Sequence, residues 1–186
     1  SLFLCRILHR HRAKNMQNNP YELLSKRVNG AYFTAKALLS ESHHCPNGTC
    51  PAILQKGGDT IIIGHQIKDT SSAGLGKHQS LVSDSKIAVV IGKELMYRAV
   101  EQLSEGTAVL SSSLGKIERL DSKAGCAFIE RANDFVVIAE QMTKPEVTEM
   151  ESHGEVGVYE QDGEAAVKIP TPLFAKAVED LLGVSA

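Results

Sequence analysis

The chain has 186 residues, of which 42% are hydrophobic, and a formal net charge of −2 at pH 7. A chain of this length can bury a core as one domain or as two small ones. The charge argues against a protein that is basic all over, and therefore against wholesale coating of nucleic acid. The absence of tryptophan leaves little material for base stacking, and four cysteines do not make a disulfide scaffold. We therefore expect a cytoplasmic protein in a reducing compartment.

Residues 1–15 differ from the rest of the chain. An apolar patch comes first, and the basic residues Arg10, Arg12 and Lys14 follow it. The patch is too short to span a bilayer, and the order of patch and charge is opposite to that of a signal peptide, so no membrane partner is expected. Two interpretations of this arm stay open: a basic arm that touches phosphate, or a tail that is disordered or not native, with a natural start at Met16.

Residues 16–44 are predicted to contain an N-terminal helix, over 20–41, that packs on the following repeat. Asn19 can cap this helix, and Pro20 suits its first position. Apolar residues recur at helical spacing: Leu23, Leu24, Val28, Tyr32 and Ala35. The pair Asn29-Gly30 is unfavourable in the middle of a helix.

A repeated stretch organises the rest of the chain. Residues 84–103 align without a gap on residues 162–181, and the matching positions include Asp84 with Asp162, Ile91 with Ile169 and Leu95 with Leu173. Each copy begins with a run of small and β-branched residues, which is typical of a buried strand. Each copy then continues with apolar residues spaced by three and four, which predicts a helix.

The repeat extends towards the N-terminus. Residues 50–67 align on residues 126–142, with one residue fewer between the cysteine and the aspartate of the second copy. In both copies two apolar runs flank a polar turn, as a β-hairpin requires. The predicted fold is therefore α+β, an internally duplicated hairpin–loop–strand–helix unit that follows the N-terminal helix. The first repeat unit is at 45–104, a connecting hairpin or linker at 105–125, and the second unit at 126–186.

Two polar stretches lie between the hairpin and the repeated strand of each unit. Residues 68–83 are rich in Ser, Gly and Lys but lack the G-x-x-x-x-G-K-[ST] spacing of a phosphate loop. Residues 143–154 are rich in Glu and Thr, and both stretches are predicted to be loops. Residues 155–161 are predicted to form an added strand, paired with the next strand across an Asp162-Gly163 turn.

The segment from His43 to Cys50, HHCPNGTC, has the chemistry of a metal site. Zinc selects thiolates and imidazoles, and the candidate ligands are His43, Cys45, Cys50 and His65. The C-x4-C spacing has no second paired knuckle, so we expect no bound metal and no cofactor. The histidines are dispersed and no Ser or Cys has a nucleophile-elbow context, so no catalytic residue is assigned.

Residues 157–178 contain a short strand, a glycine-containing turn and the A-V-x-I-P strand at residues 166–170, followed by a leucine-bearing helix. This pattern resembles the core hairpin of swapped-hairpin transition-state regulators and antitoxins of the AbrB and MazE type. The resemblance covers about a tenth of the chain. It implies that Lys168, a basic residue in the A-V-x-I-P strand, engages DNA. The first copy has Val90 at that position and Gly92 in place of the proline.

The predicted function is a non-enzymatic binding or regulatory module, in which the two copies pack as a pseudo-symmetric pair. One alternative is a DNA-binding regulator or antitoxin that uses Lys168, Arg10, Arg12 and Lys14; the missing basic excess counts against it. The other is a small-ligand or metal-dependent enzyme centred on residues 43–50; missing acid–base partners count against it. The partner is not identified, a homodimer stays open, and nucleic acid is not favoured.

Overall fold

The computed structural model describes residues 20–28, 31–34, 51–104, 125–153 and 156–182. Within these residues the chain forms strands and helices, as the α+β prediction requires. The strands are β1 (Glu22–Val28), β2 (Ala31–Thr34), β3 (Ala52–Lys56), β4 (Asp59–Ile67), β5 (Lys86–Gly92), β6 (Ala127–Glu130), β7 (Asp134–Gln141) and β8 (Glu164–Pro170). The α-helices are α1 (Lys93–Ser104), α2 (Lys144–Ser152) and α3 (Thr171–Leu182).

The strands pair in two three-stranded groups, β3–β4–β8 and β6–β7–β5, and β1 and β2 extend the first group beyond β3. We call β3, β4, β5 and α1 the first unit, and β6, β7, β8 and α3 the second unit. Each group takes its hairpin from one unit and its third strand from the other unit. Short pairings of β4 with β5 and of β7 with β8 join the two groups at their corners.

The pairing register is the same in the two groups. The matching pairs are Ala52–Ile63 and Ala127–Ile138 within the hairpins, Asp59–Pro170 and Asp134–Gly92 between the units, and Gln66–Val89 and Gln141–Val167 at the corners. All of these pairings are antiparallel. The pairing register of one group is therefore repeated at matching positions in the other.

The central core lies between the two groups and is closed by α1 and α3. Ile91 and Ile169 are each 1% exposed, at matching places in β5 and β8. The helices bury the faces that the apolar spacing predicts, including Leu95 and Met96 of α1 and Phe174 of α3. The predicted strand-to-helix segments are thus confirmed as secondary structure.

The outer face of each group is also covered. Ile61, Ile63 and Ala166 pack with Met150 of α2 on the first group. On the second group, a cluster that includes Val136 and Ile138 packs with Leu75 from the segment between β4 and β5. Burial on both faces explains why β4 and β7 have continuous apolar runs instead of alternation.

The predicted N-terminal helix is wrong where the structure describes it, because residues 22–28 and 31–34 are strands. Burial of Leu24 and Ser25 decides the conformation, since the Ser25 hydroxyl donates a hydrogen bond of 2.8 Å to the carbonyl oxygen of Leu95. The sequence had a signal for this hairpin: Asn-Gly, the pair between β1 and β2, is favoured in two-residue hairpin loops. The rest of the helix prediction lies outside the described residues.

The prediction that residues 143–154 form a loop is also wrong, because α2 occupies most of this stretch. The Thr143 hydroxyl accepts a hydrogen bond from the backbone N–H of Glu146, and the Glu146 carboxylate accepts one of 3.1 Å from the backbone N–H of Thr143. These bonds form a capping box, whose T-x-x-E pattern was visible in the sequence. In the other predicted loop, Gly76–Leu81 forms a 3₁₀ helix.

The added strand predicted at 155–161 is absent from residues 156–161, the part that the structure describes. A short 3₁₀ helix, Glu160–Asp162, stands there instead. Gly163 follows with a φ of 83°, a left-handed conformation that glycine adopts readily. The chain therefore enters β8 directly from this 3₁₀ helix, and residues 156–161 do not pair with β8 as a hairpin strand. The predicted arm at 1–15 lies outside the described residues, as does the linker at 105–125 apart from Gly125.

Candidate ligand-binding cleft

The metal-ligand candidates from the sequence are not assembled in the part of the chain that the structure describes. His65 is exposed in β4, where its register partner is Glu164 of β8. His43, Cys45 and Cys50 lie outside the described residues. Among those that are described, no group of three or more His, Cys, Asp or Glu residues could hold a metal ion.

Lys168 forms ion pairs with two carboxylates. Its Nζ atom lies 2.8 Å from Oε2 of Glu146 on α2 and 3.7 Å from Oε1 of Glu140 on β7. The hydrogen bond to Glu146 is the main cause that raises the pKa of Lys168. A cation with these neighbours offers less positive potential to a phosphate than an unpaired one does. Arg10, Arg12 and Lys14, the other residues predicted to contact nucleic acid, lie outside the described residues.

A cleft of about 980 Å³ opens where the C-terminal ends of β4 and β7 meet the start of β8. One wall is α2, which contributes Lys144, Val147, Thr148 and Glu151. These positions are spaced by three and four, so they share one face of the helix. The opposite wall is the segment 158–161, just before β8.

Polar and apolar residues both line the cleft. Met142 and Ala166 are buried there, and the backbone N–H of Met142 donates a hydrogen bond of 2.9 Å to the carbonyl oxygen of Ala166. Gln66 and Gln141, which hold matching corner positions in the two units, both line the cleft. A lining of this kind suits a small ligand that has both polar and apolar groups.

The strand end beside the cleft depends on Gly163. A Cβ atom at this position would lie 2.6 Å from Cε1 of His65, so the imidazole occupies the space that a side chain would need. The backbone N–H of Gln66 donates a hydrogen bond of 2.8 Å to the carbonyl oxygen of Gly163. These contacts hold the start of β8 against β4, next to Glu164, a buried residue that also lines the cleft.

The charged residues around the cleft have both signs. Lys68 and Lys144 are exposed cations, whereas Glu151 and Glu160 are exposed acids. The cleft therefore has no single-sign field of the kind that steers a polyanion or a polycation. The sequence did not identify this site, because its lining comes from three separate stretches of the chain, residues 66–68, 141–151 and 158–166, and the first is distant from the other two.

Comparison of the chain with family models, with curated proteins and with solved structures gives no match in any of the three. In the described residues no helix is long and apolar enough to cross a membrane. Function is therefore inferred from the cleft and from the pairing of the two units.

Proposed function

We propose that this protein is a non-enzymatic binding module, produced by tandem duplication of a hairpin–loop–strand–helix unit, and that the cleft beside α2 binds a small ligand. The observation that carries the proposal is the cleft itself, about 980 Å³ in volume. Ligand pockets in proteins commonly have volumes of about 300–1,000 Å³.

The repeated register supports the duplication. Ile62 pairs with Val167 in one group, and Val137 pairs with Val89 in the other, at matching positions of the two units. Repeated units that cannot bury a hydrophobic face alone commonly bury it against each other. The exchange of β5 and β8 buries these faces, because each unit supplies the third strand of the other unit's sheet.

The difference between the two units supports the location of the site. In the first unit the segment between hairpin and strand contains the 3₁₀ helix Gly76–Leu81, whereas in the second unit it contains α2. The two sheets are alike, but these connecting segments differ. Binding residues are frequently on such connections, which a rigid scaffold positions. The cleft lies beside α2, which is longer than the 3₁₀ helix at the corresponding place in the first unit.

A screen of small soluble molecules by amide chemical shifts on the full chain tests the proposal. We expect hits whose shift changes cluster at Thr148, Val158 and Ala166, which line the cleft. Thr148→Trp should abolish these changes, because the exposed Thr148 side chain faces the cleft and an indole would fill it. The matched control is Ser152→Trp, an exposed position on the same helix that does not line the cleft.

Two results would contradict the cleft as the binding site. In the first, hits still bind to the Thr148→Trp variant with unchanged affinity. In the second, the shift changes cluster on another surface, such as the 3₁₀ helix of the first unit.

A further inference from the structure

The cleft wall α2 is held on the sheet by polar contacts on the helix side that faces away from the cleft. Near its N-terminus, Glu146 pairs with Lys168 of β8 at 2.8 Å. In its second half, Met150 is 1% exposed and packs on the outer face of the first group. Beside Met150, Glu149 joins a group that we call the Tyr21 cluster: Tyr21, Lys56, Glu149 and His153.

The Tyr21 cluster connects three distant segments of the chain. The Tyr21 hydroxyl donates a hydrogen bond to Oε2 of Glu149. The Lys56 Nζ atom lies 3.0 Å from that carboxylate oxygen, 3.0 Å from the Tyr21 hydroxyl and 4.7 Å from the centre of the Tyr21 ring. The His153 ring centre is 5.4 Å from that of Tyr21, and its Nε2 atom is 3.6 Å from Oε1 of Glu149.

Tyr21 is the buried member of this cluster. It is 3% exposed, whereas the side chains of Lys56 and Glu149 are 43% and 47% exposed. An ion pair between two side chains as exposed as these contributes little to stability, because water screens it. A hydrogen bond from a buried hydroxyl to a carboxylate is stronger than one between neutral groups. The attachment of α2 at this point therefore depends mainly on Tyr21.

Tyr21 stands directly before β1, and β1 pairs with β3, the strand that ends at Lys56. The position of Tyr21 is consequently fixed by the pairing of β1 with β3. On the other side of α2, Val147 and Thr148 line the cleft. One helix thus contacts the N-terminal strand segment on one face and the cleft on the other.

We propose that Tyr21 couples the N-terminal strand to the cleft. While the Tyr21 hydroxyl is hydrogen-bonded to Glu149, α2 is fixed as the cleft wall; when Tyr21 is displaced, α2 loosens. A partner or modification that displaces β1 would then open the cleft. The effect on ligand binding depends on the proposed function, whereas the loosening of α2 does not.

Hydrogen exchange on the full chain tests the loosening. Tyr21→Phe keeps the buried ring and removes the hydroxyl, so we expect amides of residues 147–152 to exchange about tenfold faster, the effect of losing one hydrogen bond to a charged group. Amides of β5 should keep their wild-type rates. The matched control is Tyr97→Phe on α1, where the side chain is exposed. Glu149→Gln, an exposed substitution, provides a second variant should Tyr21→Phe prevent folding.

Two exchange results would overturn the coupling. One is wild-type exchange of α2 in both variants. The other is equal acceleration of α2 and β5, which would show that Tyr21 contributes only to global stability.

Thiol labelling gives a second readout that needs no ligand. Ala166 is a buried residue that lines the cleft, and the thiol of an Ala166→Cys variant should react with iodoacetamide several-fold faster when Tyr21→Phe is added. Peptide mass analysis separates this thiol from the native ones. An unchanged rate would contradict the coupling. If the ligand screen gives no hits but labelling of the Ala166→Cys thiol is accelerated, the proposed function is contradicted and the coupling of Tyr21 to α2 is supported.

Discussion

Glu146 is the residue at which the start of α2 is both capped and fixed to the sheet. Its pKa is lowered from 4.5 to about 2, mainly by the hydrogen bond from Lys168 and secondarily by the backbone N–H of Thr143. Because folding lowers this pKa, folding favours the carboxylate form. The stabilisation is therefore fully present above about pH 4.5 and is lost as the pH falls towards 2.

We predict that Glu146→Gln lowers the free energy of unfolding at pH 7 and that this difference becomes smaller at acid pH. The Glu146 side chain is 35% exposed, so solvent screening limits the expected loss to about 1 kcal/mol. Urea denaturation at pH 7 and at pH 2.5 measures the difference. Glu160→Gln, an exposed carboxyl on the neighbouring 3₁₀ helix, is the control and should change stability by less than about 0.5 kcal/mol. If Glu146→Gln changes the free energy of unfolding by the same amount at both pH values, the stabilisation does not come from the ionised Glu146 carboxylate.

At the scale of elements, β4 is the strand that changes partners along one edge. It pairs with β3 up to Ile63 and with β5 from His65 onwards. Gly64 lies between these two pairings, and a Cβ atom there would clash with the carbonyl oxygen of Val90. The close approach of two backbones at this corner thus requires glycine.

We predict that Gly64→Ala destabilises the fold by about 1–3 kcal/mol, because a backbone atom cannot move aside as a flexible side chain can. Gly58→Ala in the β3–β4 turn is the matched control. A Cβ atom there meets nothing within 4 Å, so the effect should be small. Thermal unfolding of both variants measures the difference. Equal midpoints would show that the β4–β5 corner is not packed as closely as described.

The elements that the sequence predicted correctly have local patterns that no distant residue contradicts. Lys86–Gly92 and Glu164–Pro170 are runs of small and β-branched residues, and the helices after them have apolar residues at helical spacing. The first predicted helix failed because Leu23 and Leu24 fit a helical face as well as a strand. The contact of Ser25 with Leu95 and the pairing with β2 and β3 select the strand.

At the scale of the whole molecule, the two units complete each other. The hairpin β3–β4 takes β8 as its third strand, and the hairpin β6–β7 takes β5. Residues of both units meet in one central core, where Ile62 and Val89 pack with Val137 and Val167. Neither unit supplies all the residues of that core.

We predict that two fragments divided within residues 105–124 do not unfold cooperatively when each is alone. Each fragment would expose the apolar faces that the other covers, and these faces supply most of the stability of a small domain. An equimolar mixture should regain a cooperative transition and the circular dichroism of the intact chain. Either fragment folding by itself, with a cooperative thermal transition of its own, would contradict the exchanged arrangement.

The amino-acid sequence by itself determined the two hairpins, the strands β5 and β8 and the helices after them, because periodicity and turn residues act over a few positions. The tertiary structure decided which strands pair, since register alone does not choose between a partner in the same unit and one in the other. It also decided that residues 144–152 form a cleft wall, because Tyr21 and Lys168 contact that helix from distant segments. A cleft lined by three separate stretches of the chain exists only when long-range contacts bring those stretches together.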